Sequence, residues 1–212
     1  MYFHKLCDIY YKRREYIYIM DEKIKVIFLD IDGVLNGYGL FTEIFYKIFF
    51  FLRKEEWFTK YFNIFGVHTR KVRLLKEIIR KTKAKVVLCS SLRYKLFKVP
   101  YEEQSEFCKK ITLTFFKNHI DIYDITPNLG TEFKREDEIN LWLLTNGINV
   151  TNYVILDDEP SEYPHLREKY LVQTSNILAD EFITGAWTDN SGLKKKHVKY
   201  AIELLNDDNR KI

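Results

Sequence analysis

Three short apolar runs, each closing on polar residues, constrain this chain more than any other feature. Residues 25–29 (KVIFL), 85–89 (KVVLC) and 153–156 (YVIL) are rich in β-branched residues and show no polar alternation. That is the pattern of strands buried on both faces, which occur in parallel sheets. Helical patterns separate them. Within 69–82, Val72, Leu75, Ile78 and Ile79 recur at helical spacing, with Thr69 placed as N-cap. Pro100 suits the first turn of a helix running to 117, with Phe107, Cys108, Ile111 and Phe115 on one side. Residues 131–145 read as a further helix, with Ile139, Trp142 and Leu143 inward and Asn146-Gly147 as its stop. Residues 194–206 read as a closing helix, and short strands are expected near 120–123 and 171–174. Alternating strands and helices predict an α/β fold: a Rossmann-like, mostly parallel sheet with helices on both faces.

Size and charge narrow the functional classes. A chain of 212 residues fits one domain with a modest insertion. At 46% hydrophobic and 30% charged it can bury a core. The net charge of +4 arises from 34 interspersed cations against 30 anions, which permits an anionic substrate without demanding nucleic acid. Cys7, Cys89 and Cys108 form no CxxC pair, which argues against a disulfide framework or structural zinc and favours a reducing compartment. No run reaches the roughly 18 apolar residues of a membrane span, and the N-terminus lacks signal-peptide order. A cytoplasmic protein with no membrane association and no protein partner is the expectation.

Two segments stand outside the alternation. Residues 1–22 mix tyrosines with Lys12, Arg13 and Arg14 and form an N-terminal extension of uncertain structure ahead of a catalytic domain over 23–212. Residues 37–67 are dense in aromatics, among them Phe45, Phe49, Trp57 and Phe62, while Leu40, Ile44, Ile48 and Leu52 share a helical face. This insertion reads as a small helical cap, serving as extra core, as a lid over the strand ends, or as both.

The chemistry-bearing residues follow the strands. In an open parallel α/β sheet, ligands bind at the C-terminal strand edge. Asp30 and Asp32 follow the first apolar run, Ser90 and Ser91 the second, and Asp157 and Asp158 the third, while Lys134 and Arg135 begin a helix between the last two. Clustered carboxylates repel one another unless a hard cation binds them, and oxygen ligands suit Mg²⁺. A carboxylate can also attack phosphorus and form an aspartyl-phosphate. Gly33 would let the backbone turn after Asp32 and bring main-chain N–H groups to a phosphate.

The order Asp30-Ile31-Asp32-Gly33-Val34, then Ser90 after a strand, a basic residue, and Asp157-Asp158 after a strand resembles the haloacid dehalogenase (HAD) superfamily of phosphohydrolases. The finer pattern is similar to the HAD domains of Swiss Army knife RNA repair proteins. It adds Leu35-Asn36, Ser91-Leu92-Arg93, Asp124-Ile125-Thr126-Pro127, and Arg135 with Glu138-Ile139 and Trp142-Leu143. The resemblance implies Asp30 as nucleophile and Mg²⁺ ligand. It implies Asp32 as general acid and then base, with its main-chain carbonyl on the metal. Ser90 would contact the phosphoryl group. From the residues alone either Ser90 or Ser91 could bind phosphate while the other caps the next helix, with Ser90 favoured for the phosphate and Ser91 for the cap. Asp157 would complete the metal shell, with Asp158 behind it or acting through a water. For the phosphate-side cation, Lys134 follows the superfamily habit and Arg135 the finer pattern. Where a tryptophan often precedes the arginine, this chain has Leu92.

The expected function is a Mg²⁺-dependent phosphomonoesterase. The resemblance suggests a nucleotide, an RNA-end phosphate or another phosphorylated small molecule as substrate, although the sequence carries no RNA-recognition signature of its own. A metal-dependent nuclease would gather acidic residues in the same way, and a catalytically silent HAD-like binding module would keep the fold alone. His68, His119, His165 and His197 lack spacing for catalysis or metal and are expected at the surface or as caps. The Lys194-Lys195-Lys196 run reads as a solvated helix start, with a place near an anionic substrate as the alternative.

Overall fold

The computed structural model describes residues 23–36, 67–146, 149–174 and 192–210. The N-terminal extension, nearly all of the aromatic insertion and Gly147 lie outside the described residues. Strands β1 (Ile24–Leu29), β2 (Lys85–Leu88), β3 (Ile122–Ile125), β4 (Val150–Asp157) and β5 (Leu171–Gln173) form one sheet. Every pairing is parallel, and the order is β3-β2-β1-β4-β5. The expected α/β, Rossmann-like architecture is therefore what the chain adopts. Helices α1 (Thr69–Thr82), α2 (Arg93–Phe97), α3 (Glu106–Lys117), α4 (Arg135–Asn146), α5 (Arg167–Tyr170) and α6 (Lys195–Asn206) connect and cover the strands. No helix among the described residues is long and apolar enough to cross a membrane.

The apolar runs lack alternation because both sheet faces are covered. On one face Ile27, Leu29, Val86, Leu88, Val154 and Leu156 pack with Val72, Leu75 and Ile78 of α1, Ile111 and Phe115 of α3, and Val198, Ala201 and Leu205 of α6. On the other, Val26, Phe28, Val87, Tyr153 and Ile155 meet Ile139 and Trp142 of α4, with Tyr163 and Tyr170. Phe28 sits edge-on to Trp142 at 5.3 Å and to Tyr153 at 5.5 Å between ring centroids. That geometry sets the ring quadrupoles favourably. Trp142 also donates its indole N–H to Asp124 Oδ2 at 2.7 Å, which anchors α4 to β3.

Helix starts differ from the sequence expectation wherever capping decides them. The residue before α1 is His68, in extended conformation and with no side-chain cap, so Thr69 is the first helical residue and not the N-cap. The helix expected from Pro100 is divided. Tyr101–Glu103 makes a single 3₁₀ turn, and α3 starts afresh where Ser105 Oγ accepts the Cys108 N–H at 3.3 Å. Likewise α4 begins at Arg135 instead of 131, because Asp137 Oδ2 takes the Lys134 N–H (2.9 Å) and Glu162 Oε2 the Arg135 N–H (3.0 Å). These acceptors satisfy amides that no helical carbonyl can reach.

Helix α6 starts on a capping contact that depends on pH. The Lys194 N–H donates to His197 Nδ1 at 3.1 Å, so the ring must be neutral to accept. Burial, with Lys196 and Lys194 beside it, lowers the His197 pKa from 6.5 to about 4. A histidine depressed in this way binds its proton more readily in the unfolded chain. Its contribution to stability is whole above pH 6.5 and declines as pH falls toward 4, at up to about 1.4 kcal/mol per pH unit. Between pH 7 and 5 the wild type is expected to lose roughly 1–2 kcal/mol more than His197→Gln, whose amide oxygen can keep the cap. Urea unfolding at the two pH values reads the difference. Parallel losses in both proteins would remove His197 as the titrating group.

Candidate active site

Sheet register brings the site together. β1 is the switch point of the sheet: the chain runs outward through β2 and β3 on one side, and through β4 and β5 on the other. Crevices at such points hold ligands. Leu29 pairs with Leu88 and with Leu156, so the next residues, Asp30, Cys89 and Asp157, stand side by side. The Asp30 N–H donates to the Leu156 carbonyl, and the Cys89 N–H to the Leu29 carbonyl, both at 3.0 Å. Alternation along a strand turns these three side chains away from Leu29 and toward the face covered by α4. For that reason the first residue of α4 meets them. Arg135 Nη1 lies 2.6 Å from Asp157 Oδ2 and 3.2 Å from Asp30 Oδ2.

Three carboxylates gather around that one guanidinium. Oxygens of Asp30, Asp157 and Asp158 lie within 4.8 Å of one another. Both Asp157 oxygens have protein donors: Oδ1 accepts the Glu159 N–H (2.9 Å) and keeps a lone pair for a further ligand, and Oδ2 accepts from Arg135 and from the Tyr163 hydroxyl (2.6 Å). Asp30 differs. It is 1% exposed, and its Oδ1 is buried without a hydrogen-bond partner. Leaving a buried acceptor unmatched costs about 1–3 kcal/mol. Burial raises the Asp30 pKa to about 7; Arg135 opposes this shift and Asp157 adds to it. Burial and then Asp157 raise Asp158 to about 6. Burial alone would lower Arg135, but Asp30 and Asp157 reverse that and hold it above its ordinary range. A negative, all-oxygen cluster with one orphaned buried oxygen fits a hard divalent cation such as Mg²⁺.

The turn after β1 is fastened from inside. Asn36 Nδ2 donates to Asp32 Oδ1 at 2.7 Å, and Asn36 Oδ1 accepts the Gly33 N–H at 2.9 Å. Thr174 Oγ1 donates to the Gly33 carbonyl at 2.9 Å. The Asp32 carboxylate is exposed and lies outside the three-carboxylate cluster. The Gly33 amide expected to face a phosphate is thus held by Asn36, and the glycine has another reason to be there. Its φ is +68°, and a Cβ would stand 2.1 Å from Asp158 Cγ. Gly33→Ala therefore strains the backbone and drives Asp158 out of the cluster. Expected outcomes are a stability loss of about 1–2 kcal/mol and Mg²⁺ binding weakened by roughly tenfold or more. Calorimetric titration with Mg²⁺ measures the second; unchanged binding would show that Asp158 contributes nothing to the cation.

The remaining expected residues separate by burial. Ser90 is buried, and its Oγ accepts the Leu92 N–H at a long 3.4 Å. Ser91 is exposed and does not cap: the N-cap of α2 is Leu92, which has no side-chain cap. Of the adjacent cations, only Arg135 reaches the carboxylates, while Lys134 Nζ donates to the Ser161 carbonyl at 2.8 Å. Sequence reasoning missed Tyr163. It is fully buried against Asp157, and burial, with Cys89 and Asp157 nearby, pushes its phenol well above the ordinary range, so it remains a donor. A tyrosine in an irregular loop six residues beyond Asp157 carries no periodic signal. Asn36 was visible within the first motif, but its role as the clasp of the turn was not. His165 and His197 behave as expected. His165 Nδ1 lies 2.7 Å from Glu136 Oε1 and its side chain is largely exposed, and His197 caps α6.

Residues 26–179 match the family model described as the HAD domain in Swiss Army Knife RNA repair proteins. Neither the curated proteins nor the solved structures gave a significant match. The family match covers most of the chain and both halves of the acidic cluster, from Asp30 to Asp158. It carries with it a phosphohydrolase type of function. The chain therefore belongs to the HAD domains of Swiss Army Knife RNA repair proteins.

Proposed function

We propose that the chain is a Mg²⁺-dependent phosphomonoesterase that works through an aspartyl-phosphate on Asp30. The observation that carries this reading is Asp30 itself: a buried carboxylate with one oxygen on Arg135 and the other unmatched, at the switch point of the sheet. Asp30, Asp157 and Asp158 would hold the cation. Bound there, Mg²⁺ supplies positive charge against the phosphoryl oxygens.

The chain's own residues account for the rest. Even with Arg135 opposing it, burial holds the Asp30 pKa at about 7, so positive charge beyond Arg135 is needed for it to act as a fully ionised nucleophile. Arg135 provides part of the positive charge and, from the same position, balances charge on the phosphoryl group. The Asp30 carboxylate forms a bond to phosphorus as the ester P–O bond breaks, and Asp32 gives its proton to the departing oxygen. Asp32 then takes a proton from water, which attacks the aspartyl-phosphate, releases inorganic phosphate and restores Asp30. The Asp32 carboxylate is exposed and, among the described residues, held only by Asn36, as a group that must meet a leaving group and then a water requires. Ser90 would donate to a phosphoryl oxygen. For substrate, the RNA-repair description of the family favours a phosphate at an RNA end or on a nucleotide.

The test is a phosphatase panel with Mg²⁺: an aryl phosphate, mononucleotides, and RNAs with 5′- or 3′-phosphate ends. Release of inorganic phosphate, blocked by beryllofluoride, is the expected result. Phosphodiester cleavage that beryllofluoride leaves untouched would replace this reading with a metal-dependent nuclease.

A further inference from the structure

We propose, on the phosphatase reading above, that Arg93 and Glu138 are positioning residues that set Ser90 in register with Arg135. Arg93 opens α2 three residues after Ser90 and is buried. Its Nη1 donates to the Ser90 carbonyl at 3.0 Å and to the Cys89 carbonyl at 3.4 Å. Its Nε reaches the Thr126 carbonyl at 3.0 Å, and its Nη2 the Pro127 carbonyl at 2.9 Å. The same Nη2 pairs with Glu138 Oε1 at 2.7 Å, and that oxygen also accepts the Leu129 N–H at 3.2 Å. One guanidinium thus joins the turn after β2, the loop after β3 and the helix that carries Arg135.

Filling the space does not explain this arrangement. An apolar plug can replace a buried ion pair with little loss of stability. A planar fork with five donors instead fixes the angles between the segments it binds. Ser90 needs such help, because among the described residues its hydroxyl makes only a 3.4 Å contact, so its place is set by its backbone. Glu138 lies three residues after Arg135, one turn along the same side of α4. The Arg93–Glu138 pair therefore ties the backbone of the phosphoryl-contacting serine to the helix of the phosphate-side cation. A misplacement of about 1 Å between such groups can lower turnover by roughly a hundredfold.

The experiment is a set of double-mutant cycles with two readouts, both in Mg²⁺: turnover of an aryl phosphate and binding of inorganic phosphate. Arg93→Lys and Glu138→Gln are each placed in the wild-type and Ser90→Ala backgrounds. Each is expected to lower kcat about 10–100-fold when Ser90 is present, and less than about threefold when it is absent. Phosphate affinity is expected to show the same non-additivity. Glu138→Gln is isosteric and guards against loss of the fold. Equal fold-losses in both backgrounds would overturn the positioning role and leave the phosphatase reading standing. If the wild type binds phosphate but turns nothing over, the phosphatase reading falls and the binding cycle alone decides: coupling supports the positioning role, additivity overturns it. If it neither binds nor turns over, both fall.

Discussion

Asp30→Asn is expected to lower phosphatase turnover by at least about a thousandfold while leaving the fold intact. The amide fits the space of the carboxyl group but cannot attack phosphorus. The fold should tolerate it because the native carboxylate is the strained partner of the site. It is buried among Asp157 and Asp158, its Oδ1 has no hydrogen-bond partner, and burial raises its pKa to about 7. A carboxyl whose folded pKa lies above its unfolded value takes stability away as pH rises through that interval. In chelator at pH 8, the asparagine variant should therefore melt at or above the wild-type temperature. Adding Mg²⁺ should raise the wild-type Tm and raise the variant's less, because a ligand that binds the native state stabilises it by mass action. Substantial residual turnover would remove Asp30 as nucleophile, and an equal Mg²⁺ shift in both proteins would remove it as a metal ligand.

The parts of this site that were legible in the sequence are those fixed by strand periodicity. Val26 to Leu29, Val86 to Leu88 and Tyr153 to Leu156 are buried on both faces, and that alone predicts parallel strands whose next residues line one edge. Asp30 and Asp157 meet because the register is uniform across β1 and β4 from Val26 onward. What was not legible depends on side chains that cap. Ser105, Asp137 and Glu162 decide where α3 and α4 begin, and each acts through one hydrogen bond that no hydrophobic pattern records. Helix α2 has five residues, too few to show a period. Tyr163 reaches Asp157 from an irregular loop, and Arg93 reaches Glu138 across 45 positions, so neither pairing could be read from spacing. The motif around Asp124-Ile125-Thr126-Pro127 was visible as a pattern. Its use became clear only where Asp124 accepts from Trp142 and the Thr126 and Pro127 carbonyls accept from Arg93.

The adjacent cations Lys134 and Arg135 show how one capping interaction selects a functional group. Residue types alone leave either able to face a phosphate. Because Glu162 and Asp137 start the helix at Arg135, that side chain turns toward the strand ends, and Lys134 falls outside and lies on the Ser161 carbonyl. Arg135→Met is expected to lower kcat by roughly 10²–10³-fold, as loss of a preorganised charge contact in a transition state does. Lys134→Met should lower it less than about threefold, in keeping with the weak contribution of exposed charges. Arg135→Lys should fall between them: Nη1 alone meets both carboxylates, and the shorter lysine side chain keeps the charge but must stretch to bring its ammonium to that point. Stability should move with the same residue. Without Arg135, two buried carboxylates lose their cation, and the metal-free variant is expected to be destabilised by about 3–5 kcal/mol. Mg²⁺ would then restore more Tm to Arg135→Met than it adds to the wild type, because it neutralises the same two groups. The reverse ranking, with Lys134→Met inactive and Arg135→Met active, would assign the cation to Lys134 and require α4 to start a residue earlier in the working enzyme.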